Sequence, residues 1–478
     1  MIPVLLILIP LLSGLVTFFL KDERAAKSWS LLSSLITLAV VSSGLIIYDH
    51  KTESNFDVAW LPALGSRFSL ELDGMGKMLT LLTAISFPVV FATTYKNNYK
   101  QSGSFYALML LTQAGLMGVF LAADALLFYF FWELALIPVY FLCSIWGGEK
   151  RIAVTFKFFI YTFIGSLLML AGILYLYFQT PDHSFAIKSL YSLHLSVKDQ
   201  NVVFWLFFIA FAIKMPVFPF HTWQPDTYEQ SPTAVTMILS GVMVKMGIFA
   251  VIRWLIPIFP DAVAHFSTVI IIFSVIGMIY ASLIAIQQDD IKRLIAYSSI
   301  AHIGLMCAAI FTHNKIGLEG VMIQMFNHGI NVIGLWVVAD VIEQQLGTRK
   351  LSELGGLAQK APTLAILLVV MALANIALPL TNAFVGEFLM FNGLFQYNVW
   401  FAAIAGISII LAAVYTLNMI QKIFYGNTVS ITANAHDAKN NVQWILIVLV
   451  VVVLVLGVYP QPLINLTKDT VNTILINR

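Results

Sequence analysis

Cysteine is scarce in this chain of 478 residues: there are two, Cys143 and Cys307, and both lie inside apolar runs. No CxxC pair, no Cys/His cluster and no haem-attachment motif occurs, which argues against disulfides, zinc and iron–sulfur ligation. A strand–GxGxxG–helix unit is also missing, so no dinucleotide site is expected. Charge is nearly as rare. Only 10% of residues are charged, the formal net charge is +2, and no basic tail exists to meet a nucleic acid. The first apolar segment, Met1 to Leu20, has no Lys or Arg ahead of it; Lys21, Arg24 and Lys27 follow it instead. A secretory signal has the opposite order. The segment therefore reads as a retained first helix with its N-terminus outside. Together these absences leave a chain expected to hold no cofactor and no metal.

What the chain has is apolar surface. Hydrophobic residues make up 60% of it, and the mean hydropathy is +0.89. A soluble domain could not hide so much and keep a polar skin; a bilayer removes the need. A span takes about 20 apolar residues. By that ruler the sequence predicts about fourteen spans, at 2–20, 28–48, 75–95, 105–121, 123–146, 152–178, 201–223, 232–257, 262–286, 291–312, 316–342, 361–396, 400–424 and 441–460. Loops are short, so residues 1–478 read as a single all-α membrane domain. Fifteen Lys and Arg fall in loops on the side of Lys21 and nine on the other, including Lys51, Arg253 and Arg478. That bias puts the Lys21 side in the cytoplasm and both termini outside. Arg253, near the outer end of its span, is expected to snorkel to the interface.

Two spans are interrupted. Pro216 and Pro219 fall inside the seventh, and Leu378-Pro379 breaks the twelfth. Proline removes a backbone hydrogen bond and clashes with the preceding turn. Loose backbone at membrane depth is tolerated only inside protein or beside a wet cavity. Two breaks five spans apart predict two five-helix repeats of inverted orientation, 105–257 and 262–424, flanked by helices in 1–95 and 441–460.

Ionisable residues concentrate near these breaks. Glu133 lies about ten residues into the fifth span, and Lys245 about thirteen into the eighth, behind Ser231-Pro232 as cap and first turn. Lys214 adjoins the first break and Glu387 follows the second. His302 and His328 each lie about eleven residues into their spans. A charge at a helix centre costs about 2.5–3.5 kcal/mol on insertion scales. Single groups of this kind can be glue between helices. A set spread over both repeats reads as a path: a carboxylate near a buried lysine can switch it between holding and releasing a proton, and histidine titrates near neutrality unaided. His221, Asp226 and Glu229 either line an opening or cap a loop. Asp290 suits a helix start, where an acid favours the dipole.

The segments carrying these residues are specific. They are Phe131-Trp-Glu-Leu-Ala-Leu-Ile-Pro138, Lys214-Met-Pro-Val-Phe-Pro-Phe-His-Thr-Trp-Gln-Pro-Asp226, Ser231-Pro-Thr-Ala, Leu239-Ser-Gly-Val-Met-Val-Lys245, Asp290-Ile-Lys-Arg-Leu-Ile-Ala-Tyr-Ser-Ser-Ile-Ala-His302, Asn327-His328-Gly329 and Phe384-Val-Gly-Glu387-Phe. The chain resembles the antiporter-like membrane subunits of respiratory complex I, the proton-pumping NADH:quinone oxidoreductase. Glu387 stands where the L and N types usually carry Lys, and a long C-terminal helix of the L type is not expected, so the resemblance is to the M type. It implies a Glu133–Lys214 pair, a central axis of Lys245, His302 and His328, and Glu387 as the residue exchanging with the outer side. It further implies L- and N-type partner subunits, a bacterial inner membrane, and NADH, FMN, iron–sulfur clusters and quinone held by other subunits. Multi-chain sodium/proton antiporters and membrane-bound hydrogenases share these motifs and are the alternatives. Gln224, Tyr228 and the stretch Gly329-Ile-Asn331-Val depart from the family pattern of Leu, His and a run richer in Ser and Thr.

Overall fold

The computed structural model describes residues 1–47 and 54–476; Lys51 and Arg478, assigned above to the outer side, lie outside this range. Helices dominate. Among the described residues eleven are long and apolar enough to cross a membrane. In chain order the helices are α1 (Ile2–Thr17), α2 (Glu23–Ile47), α3 (Gly74–Thr93), α4 (Ser102–Leu121), α5 (Ala125–Trp146), α6 (Arg151–Gln179), the short α7 (Ile187–Tyr191), α8 (Val197–Lys214), α9 (Trp223–Gln230), α10 (Thr233–Ile238) and α11 (Lys245–Ala250). They continue as α12 (Pro260–Gln287), α13 (Ile291–Ile310), α14 (Lys315–Leu346), α15 (Pro362–Asn375), α16 (Asn382–Tyr397), α17 (Val399–Phe424), α18 (Asn440–Val458) and α19 (Gln461–Ile476). α10 and α11 belong to one continuous span, Thr233–Leu255. It starts one residue after Pro232, and Ser231 ends α9 instead of capping it.

Two elements depart from the all-helical expectation. β1 (Ser54–Leu61) and β2 (Ser66–Leu72) pair antiparallel. Their residues alternate buried and exposed only loosely, so the pattern is faint in the sequence. The amphipathic α19 follows the last apolar span, where no helix was expected, and packs on α3 and α14.

Side-chain caps set several helix starts. Asp73 accepts from the Gly76 N–H at 2.8 Å, and Asn314 accepts from that of Gly317 at 2.7 Å. A capping carboxylate or amide satisfies a backbone donor that the first turn leaves unpaired. Burial then sorts the helices. The most apolar stretches of Thr233–Leu255 and Lys315–Leu346 are 100% buried, against 28% and 22% for those of α17 and α18. The former are the hub, and the latter present an apolar rim. Gly115 lets α4 and α5 touch backbone to backbone, since a Cβ there would overlap Ala135. Gly247 does the same for α11 against α8, where a Cβ would stand 2.7 Å from the Met215 nitrogen.

The two breaks fall where proline was expected to put them, and they share one hydrogen-bond pattern. At the first, the N–H groups of Met215, Val217 and Phe220 bond the carbonyls of Phe211, Ala212 and Val217. At the second, Ile376, Leu378 and Thr381 bond Ala372, Leu373 and Leu378 in the same spacing. A second pattern also recurs. Asp124 caps α5 through the N–H groups of Leu126 and Leu127, while Ala125 bonds Phe185 and Ile187 bonds Ala123. Asp290 caps α13 through Lys292 and Arg293, while Ile291 bonds Arg349 and Leu351 bonds Asp289. Asp124 sits against the β-hairpin, accepting also from Ser66 and Arg67 at 3.0 Å each. Asp290 sits in a cluster of charges formed with Arg349.

Candidate functional site

The centre of the molecule holds a continuous string of titratable side chains. It starts in the Thr233–Leu255 span, where the helix widens over Leu239–Met243. There the Val244 N–H reaches back five residues to the Leu239 carbonyl at 3.2 Å. Such widened turns leave a neighbouring carbonyl available and are frequent at functional sites. The Ser240 carbonyl is the one used: Lys245 Nζ, wholly buried, donates to it at 2.8 Å. The same Nζ lies 2.8 Å from His328 Nδ1 on α14. The His328 and His302 rings are 5.7 Å apart, centre to centre. His302 Nδ1 then meets Glu387 Oε1 at 2.8 Å, and Gln324 Nε2 approaches the same oxygen at 3.4 Å. The string thus runs Lys245, His328, His302, Glu387, over α11, α14, α13 and α16. Both imidazole Nε2 atoms are buried without a protein partner. Buried polar atoms of this kind ordinarily bond water. A cavity of about 20 Å³ beside His302 and Glu387 has room for one molecule.

The other two expected residues stand apart from the string. Lys214 is buried, with Nζ 5.5 Å from the Trp132 ring centre and no hydrogen-bond partner. Glu133 is only half-buried, and its Oε1 is also without a partner. The two feel each other's charge, but no ion-pair contact joins them. Glu133 is flanked on α5 by exposed Phe130 and Ile137, so it lies at the margin of an apolar outer face.

Sequence reasoning missed four features. Arg253 does not snorkel. It is 13% exposed and pairs with Asp73 Oδ1 at 2.7 Å, because the start of α3 is folded over it. Between the second break and α13, Ser298 receives Asn375 Nδ2 at 3.0 Å and the Tyr415 hydroxyl at 2.9 Å. Asn375 ends α15 just before its break, as Lys214 ends α8, and that matching position was a usable signal. Asp340, on α14, is a further carboxylate inside a span, with Gln344 Nε2 at 3.0 Å and Asn97 Nδ2 at 3.5 Å.

The fourth feature is the charge cluster at the end of the bundle opposite the hairpin. Asp226 pairs with Lys157 at 2.8 Å and Arg293 at 3.0 Å. Glu229 pairs with Arg293 at 2.8 Å and Arg349 at 3.1 Å. Arg349 also holds Asp290 at 2.6 Å and Glu343 at 3.4 Å, and Glu343 holds Lys292 at 2.6 Å. Four cations face four carboxylates, so the cluster is neutral. Asp226 and Glu229 are thereby tied by charge pairing. His221 has a buried Nδ1 with no partner.

Titratable groups strung through a helical bundle, beside two broken helices, define a membrane protein built to move ions. The chain belongs to the family described as NADH:quinone oxidoreductase/Mrp antiporter, TM, which its residues 122–413 match. It is 35% identical to the NADH-quinone oxidoreductase subunit M of Rickettsia prowazekii, over 98% of each chain. With the protein of that name from Escherichia coli K12 it shares 35% over 88% of this chain and 85% of the other. The F(420)H(2) dehydrogenase subunit M of Methanosarcina mazei is 34% identical over 98% and 97%. In structure it matches a chain of respiratory complex I from Thermus thermophilus with a TM-score of 0.92, at 27% identity, over 100% and 99%. A chain of the Mrp complex from Dietzia shares the fold at a TM-score of 0.88 and 22% identity.

Proposed function

We infer that this chain is the M-type, proton-translocating membrane subunit of an NADH:quinone oxidoreductase. The observation that carries the reading is the string Lys245–His328–His302–Glu387, with two direct contacts at 2.8 Å and a histidine pair between them. Protons reach Lys245 from the cytoplasm, pass His328 and His302, and leave by Glu387 to the outer side. The full-length likeness to relatives named for that enzyme supports the complex.

The finer features of the reading are proposals too. The chain crosses the inner membrane fourteen times, the charge cluster faces the cytoplasm, and both termini lie outside. The recurring hydrogen-bond patterns at the breaks and at Asp124 and Asp290 support two inverted repeats, 105–257 and 262–424, with flanking helices in 1–95 and 441–460. NADH, FMN, iron–sulfur clusters and quinone belong to partner subunits. Glu133 at the edge of an exposed apolar face suits contact with a neighbouring L- or N-type subunit, through which redox events elsewhere shift the charge felt by Lys214. Identity to the F(420)H(2) dehydrogenase subunit is nearly as high as to the NADH-linked ones. The electron donor is therefore chosen by other subunits, and the proton path is indifferent to it.

The test is NADH-driven proton uptake into inverted membrane vesicles, comparing wild type with Lys245→Ala and Glu133→Ala after native-gel confirmation of assembly. Loss of uptake in assembled complexes supports the path. Normal uptake in both variants makes these residues structural and removes the reading. Sodium-dependent growth at high pH in place of NADH-driven pumping would point to the antiporter alternative.

A further inference from the structure

The proposed string begins at Lys245, which is wholly buried. Lys245 lies twelve residues beyond Thr233, the start of its helix, so roughly 18 Å separates it from the cytoplasmic end. A proton taken from that side must cross this distance. A column of polar groups lies along it. The Ser240 carbonyl holds Lys245, and the Ser240 hydroxyl accepts from Trp336 Nε1 at 2.7 Å. The Trp336 ring meets Tyr228 edge-on at 5.9 Å. The Tyr228 hydroxyl is wholly buried, and the Gln224 amide on the preceding turn of α9 is its polar neighbour; neither makes a hydrogen bond of good geometry. Such orphans are uncommon in protein interiors and call for a reason.

Asp340 stands at the far end of this column. It is four residues from Trp336 on α14, hence on the same side of that helix. Thr233 and Lys292 lie beside it. Both residues, with Glu343, line a cavity of about 520 Å³ at the charge-cluster end. Lys292 is already committed to Glu343 at 2.6 Å, and the cluster around it is neutral. Asp340 therefore adds one unbalanced negative charge between an open vestibule and a buried polar column. Neutral side chains would satisfy Asn97 and Gln344 equally well, so hydrogen bonding alone does not account for an acid there.

We propose that Asp340 is the proton-collecting carboxylate of this subunit, taking protons from the cytoplasmic vestibule and passing them by way of the Tyr228 hydroxyl toward Lys245, along the column that Trp336 and Ser240 hold in place. This rests on the proton-path reading above. The carboxylate binds a proton from bulk water and releases it to water reaching the Tyr228 hydroxyl. That hydroxyl accepts the proton and gives its own to a further water, which protonates the neutral Lys245 amine; Asp340 returns to its ionised form and Tyr228 to its neutral one. Trp336 and Ser240 are positioning residues: Trp336 holds the Ser240 hydroxyl, the Ser240 carbonyl accepts from Lys245 Nζ, and neither residue transfers a proton. The titratable and charged groups facing Asp340 are Lys292, Glu343 and Tyr99.

The test uses the assembled complex in inverted vesicles, where the cytoplasmic face meets the bath. Proton uptake per NADH oxidised is measured for Asp340→Asn, Asp340→Glu, Tyr228→Phe and Lys245→Ala. The expected result is that Asp340→Asn lowers uptake to the extent that Lys245→Ala does, that the deficit widens as bath pH rises, and that Asp340→Glu restores it. Lowered uptake in Lys245→Ala with normal uptake in Asp340→Asn overturns this inlet and leaves the path standing. Normal uptake in Lys245→Ala removes the path itself. Should Asp340→Asn fail to assemble, Tyr228→Phe decides: reduced uptake supports the column, and wild-type uptake overturns it.

Discussion

His328 is the link whose removal has the most definite consequence. Its Nδ1 lies 2.8 Å from Lys245 Nζ, and with Lys245 as the ammonium donor Nδ1 is the acceptor. The neutral ring must then carry its proton on Nε2. His302 offers Nδ1 to the Glu387 carboxylate at 2.8 Å, which leaves its own Nε2 as a buried lone pair without a protein partner. The two direct contacts thus share one sense, Lys245 donating to His328 and His302 donating to Glu387. His328→Ala breaks this order and leaves Lys245 with only the Ser240 carbonyl. Losing one hydrogen bond to a charged group costs about 1.5–3 kcal/mol. Placed on the proton-loaded state, that slows any step through it roughly ten- to hundredfold. His328→Asn is the informative variant. Its amide oxygen stands near the lost Nδ1 and again accepts from Lys245, but nothing replaces Nε2. We expect His328→Ala to weaken both assembly and pumping, and His328→Asn to recover assembly while pumping stays low. The assay is native-gel band intensity alongside NADH-driven proton uptake. Wild-type uptake in the assembled Asn variant would refute the relay and its direction.

Other outcomes follow from the same geometry. Arg253→Ala strands the Asp73 carboxylate, and breaking a buried pair costs about 3–5 kcal/mol; the complex should lose most of its assembled band on a native gel, with partial recovery in Arg253→Lys. Gly115→Val should part α4 from α5 against the Ala135 backbone, overpacking by about 1–3 kcal/mol and lowering the thermal aggregation temperature of the purified complex. At the cluster, burial pushes the Asp226 carboxyl up, but hydrogen bonds from Lys157 and Arg293 outweigh it and hold it below the usual carboxylate range. A carboxylate so lowered adds stability above its unfolded value of about 4, which is lost as pH falls through the lowered folded value. Asp226→Asn should therefore flatten the acid side of the stability profile, read as aggregation temperature against pH.

Much of this was legible in the sequence because a bilayer simplifies the code. Apolar length marks a span, proline marks a break, and a charge inside a span is rare enough to stand out. Lys245, His302, His328 and Glu387 were found that way, and the structure brings them into one string. What stayed hidden was pairing. Arg253 near a span end looks the same whether it snorkels or meets Asp73, which lies far away in sequence. Ser298 and Tyr415 are unremarkable polar residues until Asn375 joins them at the second break. The widened turn at Leu239–Met243 carries no residue that announces it. Glu133 and Lys214 were expected as a pair from the family resemblance alone, which carries no information on the orientation of two long side chains. The hairpin at 54–72 was hidden for another reason. Its two faces are both partly exposed, so it lacks the alternation that betrays a strand.

The charge cluster limits how this molecule can work. Lys157, Asp226 and Glu229 come from α6 and α9, whereas Asp290, Arg293, Glu343 and Arg349 come from α13, α14 and the loop that follows. Deeper in, Lys245 on α11 is bonded to His328 on α14. The front and back halves of the bundle are therefore stitched together twice, once at the surface and once at the core. A transporter that rocks its halves must rip such seams on every cycle. With these seams closed, the proposed path calls only for rotamer changes and rearranging water, small enough to repeat within a frame that stays still.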